Sequence, residues 1–287
     1  MPGPFAWLRR LFKRSPPQPI GAFSALQSPS AKTRLDELLD SLPADLVPRT
    51  DTPDRGVGWA AALPARMLFL DVETTGLHSE DRIVSLAAIR LNRDAIKNGE
   101  VTIDYAYLVF DPERKSHPRA EEVHGWDDWT LRHQALFSES LENFESFLRG
   151  TDLIVAHNAE FDLRFVAREL AIAGRPPLEA PFYCTLQGYR GANYGRASLD
   201  AICQRFGWPR SNTHGALEDA YLCMMLFLHL HKAPQLPAFP DFTQLTPANF
   251  VTPAPRPDGP LPRRKRRPRV LPNEDSRAQP RTAPNTP

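Results

Sequence analysis

The pattern of apolar and polar positions changes character several times along this chain. Met67-Leu68-Phe69-Leu70 is an unbroken apolar run that stops at Asp71, which predicts a buried strand. Arg82–Leu91 carries Ile83, Leu86, Ala88 and Ile89 and predicts a second strand. Val101–Phe110 sets Val101, Ile103, Tyr105, Tyr107 and Val109 at period two, predicting a third. The connections between these three are short. That favours antiparallel pairing, because a parallel crossover needs about a dozen residues or more.

Further on, the period becomes helical. Helices are predicted over 136–148 (Leu141, Phe144, Phe147, Leu148), 160–173 (Phe161, Phe165, Leu170, Ile172), 198–206 and 214–231. Between them, Leu153–Ala156 and Phe182–Thr185 predict short strands. Strand and helix alternate here, so these later strands should pair in parallel. The expected fold class is α/β: a mixed sheet, antiparallel in its first three strands and parallel later, flanked by helices. Upstream, Phe5–Arg14 and Thr33–Leu42 have apolar residues at helical spacing, and Pro43–Pro64 predicts a loop.

Composition sharpens the boundaries. The chain has 287 residues and 30 prolines; 10 fall in residues 1–64, 6 in 65–232 and 14 in 233–287. A proline-rich segment cannot supply helix or sheet hydrogen bonds freely. The expected organisation is therefore a basic, proline-rich N-terminal extension with short helices (1–64), one domain (65–232) and a disordered, proline-rich basic tail (233–287). Charge divides the same way. The middle segment has 18 basic against 24 acidic residues, so the overall +1 is a cancellation between an acidic domain and basic ends. Arg263–Arg267 is a basic block that could hold nucleic acid through its phosphates.

Several classes drop out. Cys184, Cys203 and Cys223 cannot make a disulfide framework, and no C-x-x-C pair suggests zinc or redox chemistry. No apolar run reaches the roughly 18 residues of a membrane span. Arg9-Arg10 is followed by Pro16-Pro17 rather than an apolar export region. A cytoplasmic protein without an integral membrane segment is expected.

Three separated acidic patches carry the chemistry. In Asp71-Val72-Glu73-Thr74-Thr75-Gly76, the two carboxylates are two residues apart, so on a strand they face one side. Side-by-side carboxylates repel, and hard, oxygen-seeking Mg²⁺ or Mn²⁺ is their natural partner. In His157-Asn158-Ala159-Glu160-Phe161-Asp162, Asp162 falls in a first helical turn, where the helix dipole alone could explain it. Asn158 is a cap residue type, Glu160 is a rival ligand, and Phe161 could pack beneath the helix or stack on a base. In His214-Gly215-Ala216-Leu217-Glu218-Asp219, Asp219 lies beside an apolar stripe, where a carboxylate is costly without a partner. Glu218 is expected to point to solvent. His214 precedes the helix and can turn toward the same site, or serve as a cap.

Jointly, the pattern resembles the DEDDh 3′–5′ exonuclease superfamily, including the proofreading epsilon subunits of bacterial DNA polymerase III and stand-alone relatives. The matching runs are D-x-E-T-T-G-L (Asp71–Leu77), H-N-A-x-F-D (His157–Asp162) and H-G-A-x-x-D (His214–Asp219), with Val123-His124-Gly125 and Ser198-Leu199-Asp200 as smaller matches. The tyrosine subclass would place Tyr four residues before Asp219, where Gly215 stands, so the histidine subclass fits.

The resemblance implies a ribonuclease H-like fold and a two-metal phosphodiesterase that releases nucleoside 5′-monophosphates from a 3′ end. It implies that Asp71, Glu73, Asp162 and Asp219 hold two Mg²⁺ or Mn²⁺ ions, with Asp71 shared and His214 as the base. Thr74, Gly76, Leu77, Phe161 and His124 are the implied substrate contacts, and His157 and Asn158 the implied supports. DNA, single-stranded or frayed at its 3′ end, in proofreading or repair is the expected substrate. An exoribonuclease and an inactive binding module on the same fold are the alternatives. Gln235-Leu236-Pro237-Ala238-Phe239 resembles the short peptides that bind sliding clamps, so a clamp or polymerase contact through the tails is a further expectation.

Overall fold

The computed structural model describes residues 63–93, 100–192, 194–211, 215–233 and 236–264, and a strand at Gly21–Leu26. The helices expected at Phe5–Arg14 and Thr33–Leu42 lie outside the described residues, and so does His214.

Six strands form one sheet: β1 (Gly21–Leu26), β2 (Arg66–Thr74), β3 (Ile83–Asn92), β4 (Glu100–Val109), β5 (Leu153–Ala156) and β6 (Phe182–Cys184). Their spatial order is β1-β4-β3-β2-β5-β6. The pairs β2–β3 and β3–β4 are antiparallel, as the short connections predicted, and β2–β5 and β5–β6 are parallel, as the strand–helix alternation predicted. β1 was not expected. It pairs antiparallel with β4, with Gly21 opposite Tyr105 and Leu26 opposite Glu100. Its sequence, Gly-Ala-Phe-Ser-Ala-Leu, has no β-branched residue, so local propensity gives little sign of it.

Among the described residues, seven α-helices flank the sheet: α1 (Pro118–His124), α2 (Asp128–Leu131), α3 (Leu141–Leu148), α4 (Ala159–Ile172), α5 (Thr185–Gly191), α6 (Leu199–Phe206) and α7 (Ala216–Leu230). The helix predicted at 136–148 begins as a 3₁₀ turn, Phe137–Ser140. α1, α2 and α5 were not predicted; each is too short for its periodicity to stand out.

The sheet buries both faces. On one, Met67, Phe69, Ala87 and Ile89 pack beneath α7, with Phe69 edge-on to Phe227 at 5.5 Å. On the other, Leu68, Leu70, Leu86 and Leu108 pack against α3 and α4 through Phe144, Phe147 and Phe165. This two-sided burial explains why β2 reads as a continuous apolar run rather than an alternating one. β2 and β5 run in parallel, with Leu70 opposite Ala156, so both end at one edge of the sheet. Past that last pair, Asp71 on β2 and His157 after β5 therefore lie side by side. α7 crosses β2 with its N-terminus at the same edge, which is where the three acidic patches meet.

The tail expected from residue 233 needs correction. Residues 236–264 form an extended strap along the domain. The carbonyl of Ala238 accepts from Tyr221 Oη (2.5 Å), and Ala248 N donates to Tyr107 O (2.8 Å). The Asn249 side chain brackets both backbone groups of Val109 (2.9 and 2.7 Å), and Gln134 does the same to Val251 (2.8 and 2.8 Å). The strap thus occupies the edge of β4 just past the end of β1, covering what would be an open sheet edge. Proline loses its N–H but keeps its carbonyl. A proline-rich strap can therefore be held through acceptors, a mode that composition does not reveal.

The strap also uses the residues read as a clamp-binding peptide. Leu236 is buried in the main core, and Phe239 packs against Tyr221 and Trp208.

Candidate active site

β2 ends by turning its carboxylates toward α7. Oxygen atoms of Asp71, Glu73 and Asp219 all lie within 4.8 Å of one another. The spacing argument holds: Val72, between the two strand carboxylates, faces the core, while Asp71 and Glu73 share the other side.

Asp162 is buried in the first turn of α4 and stands beside this trio without belonging to it. Its Oδ1 accepts from the backbone N–H of Val72 at 3.1 Å. The carboxylate is thereby anchored to the strand between the other two acids. Burial pushes the Asp71 carboxyl well above the usual carboxylate range, and the negative charges of Asp162, Asp219 and Glu73 push it further. Asp162 is also raised, by burial first, against the lowering effect of its bond from Val72 and its own backbone amide. Four carboxylates converging on partly dry ground are expensive unless a cation joins them. An all-oxygen donor set without Cys fits a hard divalent metal.

Arg210 was not foreseen. Its guanidinium bonds the Asp219 carboxylate, reaches Asp200 Oδ1 at 3.0 Å and lies 3.6 Å from Glu218 Oε2. It is a residue of the loop before α7, and only the tertiary fold brings it to these acids. Glu218 also departs from expectation. It is buried and not turned to solvent, accepting from the Ser211 backbone N–H (2.8 Å) and hydroxyl. Glu160 is exposed, away from the trio.

The loop after β2 is tightly built. The Thr74 hydroxyl donates to the Gly76 carbonyl (2.7 Å), and Asp81 accepts from the Thr75 hydroxyl (2.8 Å) and the His78 N–H (2.9 Å). A Cβ on Gly76 would lie 2.5 Å from Asp81 Oδ2, so only glycine fits against this carboxylate. Leu77, at the tip, is 73% exposed, unusual for a large apolar side chain in a fixed loop. Phe161 packs against Phe165 at 4.9 Å.

Asn158 occupies the N-cap position of α4 but makes no side-chain cap bond; it adopts φ +73°, a conformation Asn tolerates better than most residues. His157 is a support: Nε2 donates to Ala197 O (2.7 Å), and Nδ1 meets Thr185 Oγ1 (3.0 Å). His124 is buried at the end of α1. Its Nδ1 accepts from Trp126 N (3.0 Å), which leaves the proton on Nε2, and Nε2 has no partner. Burial lowers its pKa to about 4, so it is neutral.

A mixed sheet with clustered carboxylates at the end of its first core strand defines a nuclease of the ribonuclease H-like class. Residues 68–227 match the exonuclease family model named for RNase T. The chain belongs to this exonuclease family and is a 3′–5′ exonuclease.

It is 31% identical over 186 residues to the DNA polymerase III subunit epsilon of Treponema pallidum, covering 62% of this chain and 83% of that one. It is 31% identical over 176 residues to the Escherichia coli subunit of the same name, covering 57% and 70%. Among solved structures, an E. coli exonuclease I–single-stranded DNA complex in a zinc-bound form shares the fold, with TM-score 0.50 and 19% identity. That match covers 59% of this chain and 42% of exonuclease I. Among the described residues, no helix is long and apolar enough to cross a membrane.

Proposed function

We propose that this exonuclease releases nucleoside 5′-monophosphates from the 3′ end of single-stranded or frayed DNA, in replication proofreading or repair. The observation that carries the chemistry is the joint placement of Asp71, Glu73 and Asp219 with Asp162 anchored beside them. The likeness to two polymerase III epsilon subunits supports DNA as the substrate, a polymerase as a partner and the cytoplasm as the location.

Asp71, Glu73 and Asp219 would hold one divalent ion, Mg²⁺ or Mn²⁺, and Asp71 with Asp162 would help hold a second. Bound there, such ions activate water and stabilise the leaving 3′-oxygen. His214 would take the proton from the attacking water, a role that needs a pKa near working pH. Arg210 keeps the Asp219 carboxylate oriented. The rigid loop at Thr74 and Gly76 would present its backbone to the terminal nucleotide, with exposed Leu77 against its base. The buried Nε2 proton of His124, which has no partner among the described residues, would donate to the same nucleotide. Phe161 would contribute as the packed floor under that nucleotide. In the Leu236–Phe239 peptide Leu236 is buried and Phe239 is partly buried against Tyr221, so a clamp contact through it forms no part of this reading.

The test is a comparison of kcat/KM on DNA and RNA oligonucleotides of one sequence, with matched and frayed 3′ ends. Preference for frayed DNA supports the proposal. Preference for RNA would replace it with an exoribonuclease.

A further inference from the structure

The end of the strap builds a second feature at the catalytic edge of the sheet. β4 is antiparallel to β3, and β3 to β2, so β4 ends at the edge where Asp71 and Glu73 lie. The loop that follows, Asp111–His117, is joined to the loop after β2: His117 N donates to Thr75 O at 2.7 Å, and Arg114 lies 3.2 Å from Asp81.

Against the outer side of this loop the strap borders an open cavity of about 480 Å³. Lys115, Arg132, Arg256, Arg263 and Arg264 line it, with Asp128 the single acidic residue of the lining. The nearby acids are already engaged. Asp128 takes both Arg132 and Arg264, Asp111 takes Arg264, and Asp127 lies 3.5 Å from Arg256. Arg264 is also fixed by the Arg114 carbonyl (3.1 Å), and Arg132 by the Pro262 carbonyl (2.6 Å). The cavity wall is therefore held in shape by its ion pairs. Lys115 and Arg263, both exposed, make no ion pair with any described residue.

A preformed hollow with uncommitted cations suits a polyanion. A nucleic-acid strand with its 3′ end at Asp71 must pass its upstream phosphates over neighbouring surface. We propose that this cavity is a phosphate-binding subsite for the strand upstream of its 3′-terminal nucleotide, with Lys115 and Arg263 as the phosphate contacts. The proposal rests on the exonuclease reading and adds to it a role for the strap. The acidic domain gains substrate affinity from a segment outside the exonuclease match, which ends at residue 227.

The test uses the full chain in EDTA, where hydrolysis stops, with 5′-fluorescein oligo-dT of about 4 and about 15 nucleotides. For Lys115→Glu/Arg263→Glu, the Kd of the longer oligonucleotide should rise tenfold or more, and that of the shorter should stay within about twofold. The slope of log Kd against log salt should shrink by about 1.4, at roughly 0.7 per lost phosphate contact on a single strand. Lys115→Gln/Arg263→Gln, which removes charge without reversing it, should show the same direction. Unchanged affinity for the longer oligonucleotide, or equal loss on both lengths, overturns the subsite. Metal-dependent shortening of the short oligonucleotide is read in parallel: if it persists, the exonuclease reading survives the failure of the subsite. If no oligonucleotide is shortened, both fall.

Discussion

The Asp162 carboxylate accepts the backbone N–H of Val72, the residue between Asp71 and Glu73, at 3.1 Å. One hydrogen bond thus ties the first turn of α4 to the end of β2 and sets the relative position of three acids. Asp162→Asn keeps an acceptor and removes a charge. It is expected to fold at least as stably as wild type without metal, while kcat falls about a hundredfold or more. Asp162→Ala leaves a buried N–H unpaired and is expected to cost about 1–3 kcal/mol in addition. Urea unfolding in EDTA and steady-state kinetics separate the two effects.

The raised carboxyls make metal-free stability depend on pH. Asp71 and Asp162 both have folded pKa values above the ordinary 3.8, chiefly through burial. Their contribution is full below that ordinary value and is lost as pH rises through the folded values. In EDTA the melting temperature should therefore fall as pH rises above the ordinary 3.8, more steeply than in Asp71→Asn. Saturating Mn²⁺ should restore stability at the alkaline end. Parallel pH profiles for wild type and variant would contradict the assignment.

Arg82, partly buried, and buried Glu169 form a pair of a different kind. The guanidinium grips both carboxylate oxygens (2.6 and 2.8 Å), and Glu169 also accepts from Ile83 N at 3.2 Å. This pair clips α4 to the start of β3, behind the active-site loop. Removing one partner of a buried pair strands the other, so Arg82→Ala should lose about 3–5 kcal/mol. Chemical denaturation measures it. A loss below about 1 kcal/mol would show the pair to be energetically idle.

Gly76→Ala places a methyl against Asp81, whose carboxylate is held by Thr75, His78 and Arg114 and cannot swing away freely. Overpacking of this kind costs about 1–3 kcal/mol. KM for oligonucleotides should rise with it, since the loop that meets the terminal nucleotide must shift. Wild-type stability together with wild-type KM would remove Gly76 from the substrate site.

Much of this was legible in the sequence, for physical reasons. The core strands are buried on both faces and read as apolar runs, and the loop lengths dictate antiparallel or parallel pairing. Asp71 and Glu73 could be paired because they share a strand face, and Asp219 was placed with them by the family resemblance of the three acidic runs. What stayed hidden depends on partners distant in the chain. β1 gains its pairing from β4. Arg210 meets Asp219 only after the loop before α7 is packed, and Glu218 turns inward because Ser211 receives it. The strap is held by bonds from its non-proline residues, Ala238, Ala248, Asn249 and Val251, so its prolines suggested disorder where the fold has a fixed segment.

The central claim is that the carboxylate cluster is a metal-dependent 3′-end hydrolase centre. Its most direct measurement is the product pattern from 5′-labelled single-stranded DNA with Mg²⁺ or Mn²⁺, for wild type, Asp71→Asn and His214→Ala. Wild type should give a ladder shortening one nucleotide at a time from the 3′ end, abolished by EDTA. Asp71→Asn should be inactive, and His214→Ala slower by about 10²-fold or more. Undiminished degradation by Asp71→Asn, or digestion that continues in EDTA, would contradict the account.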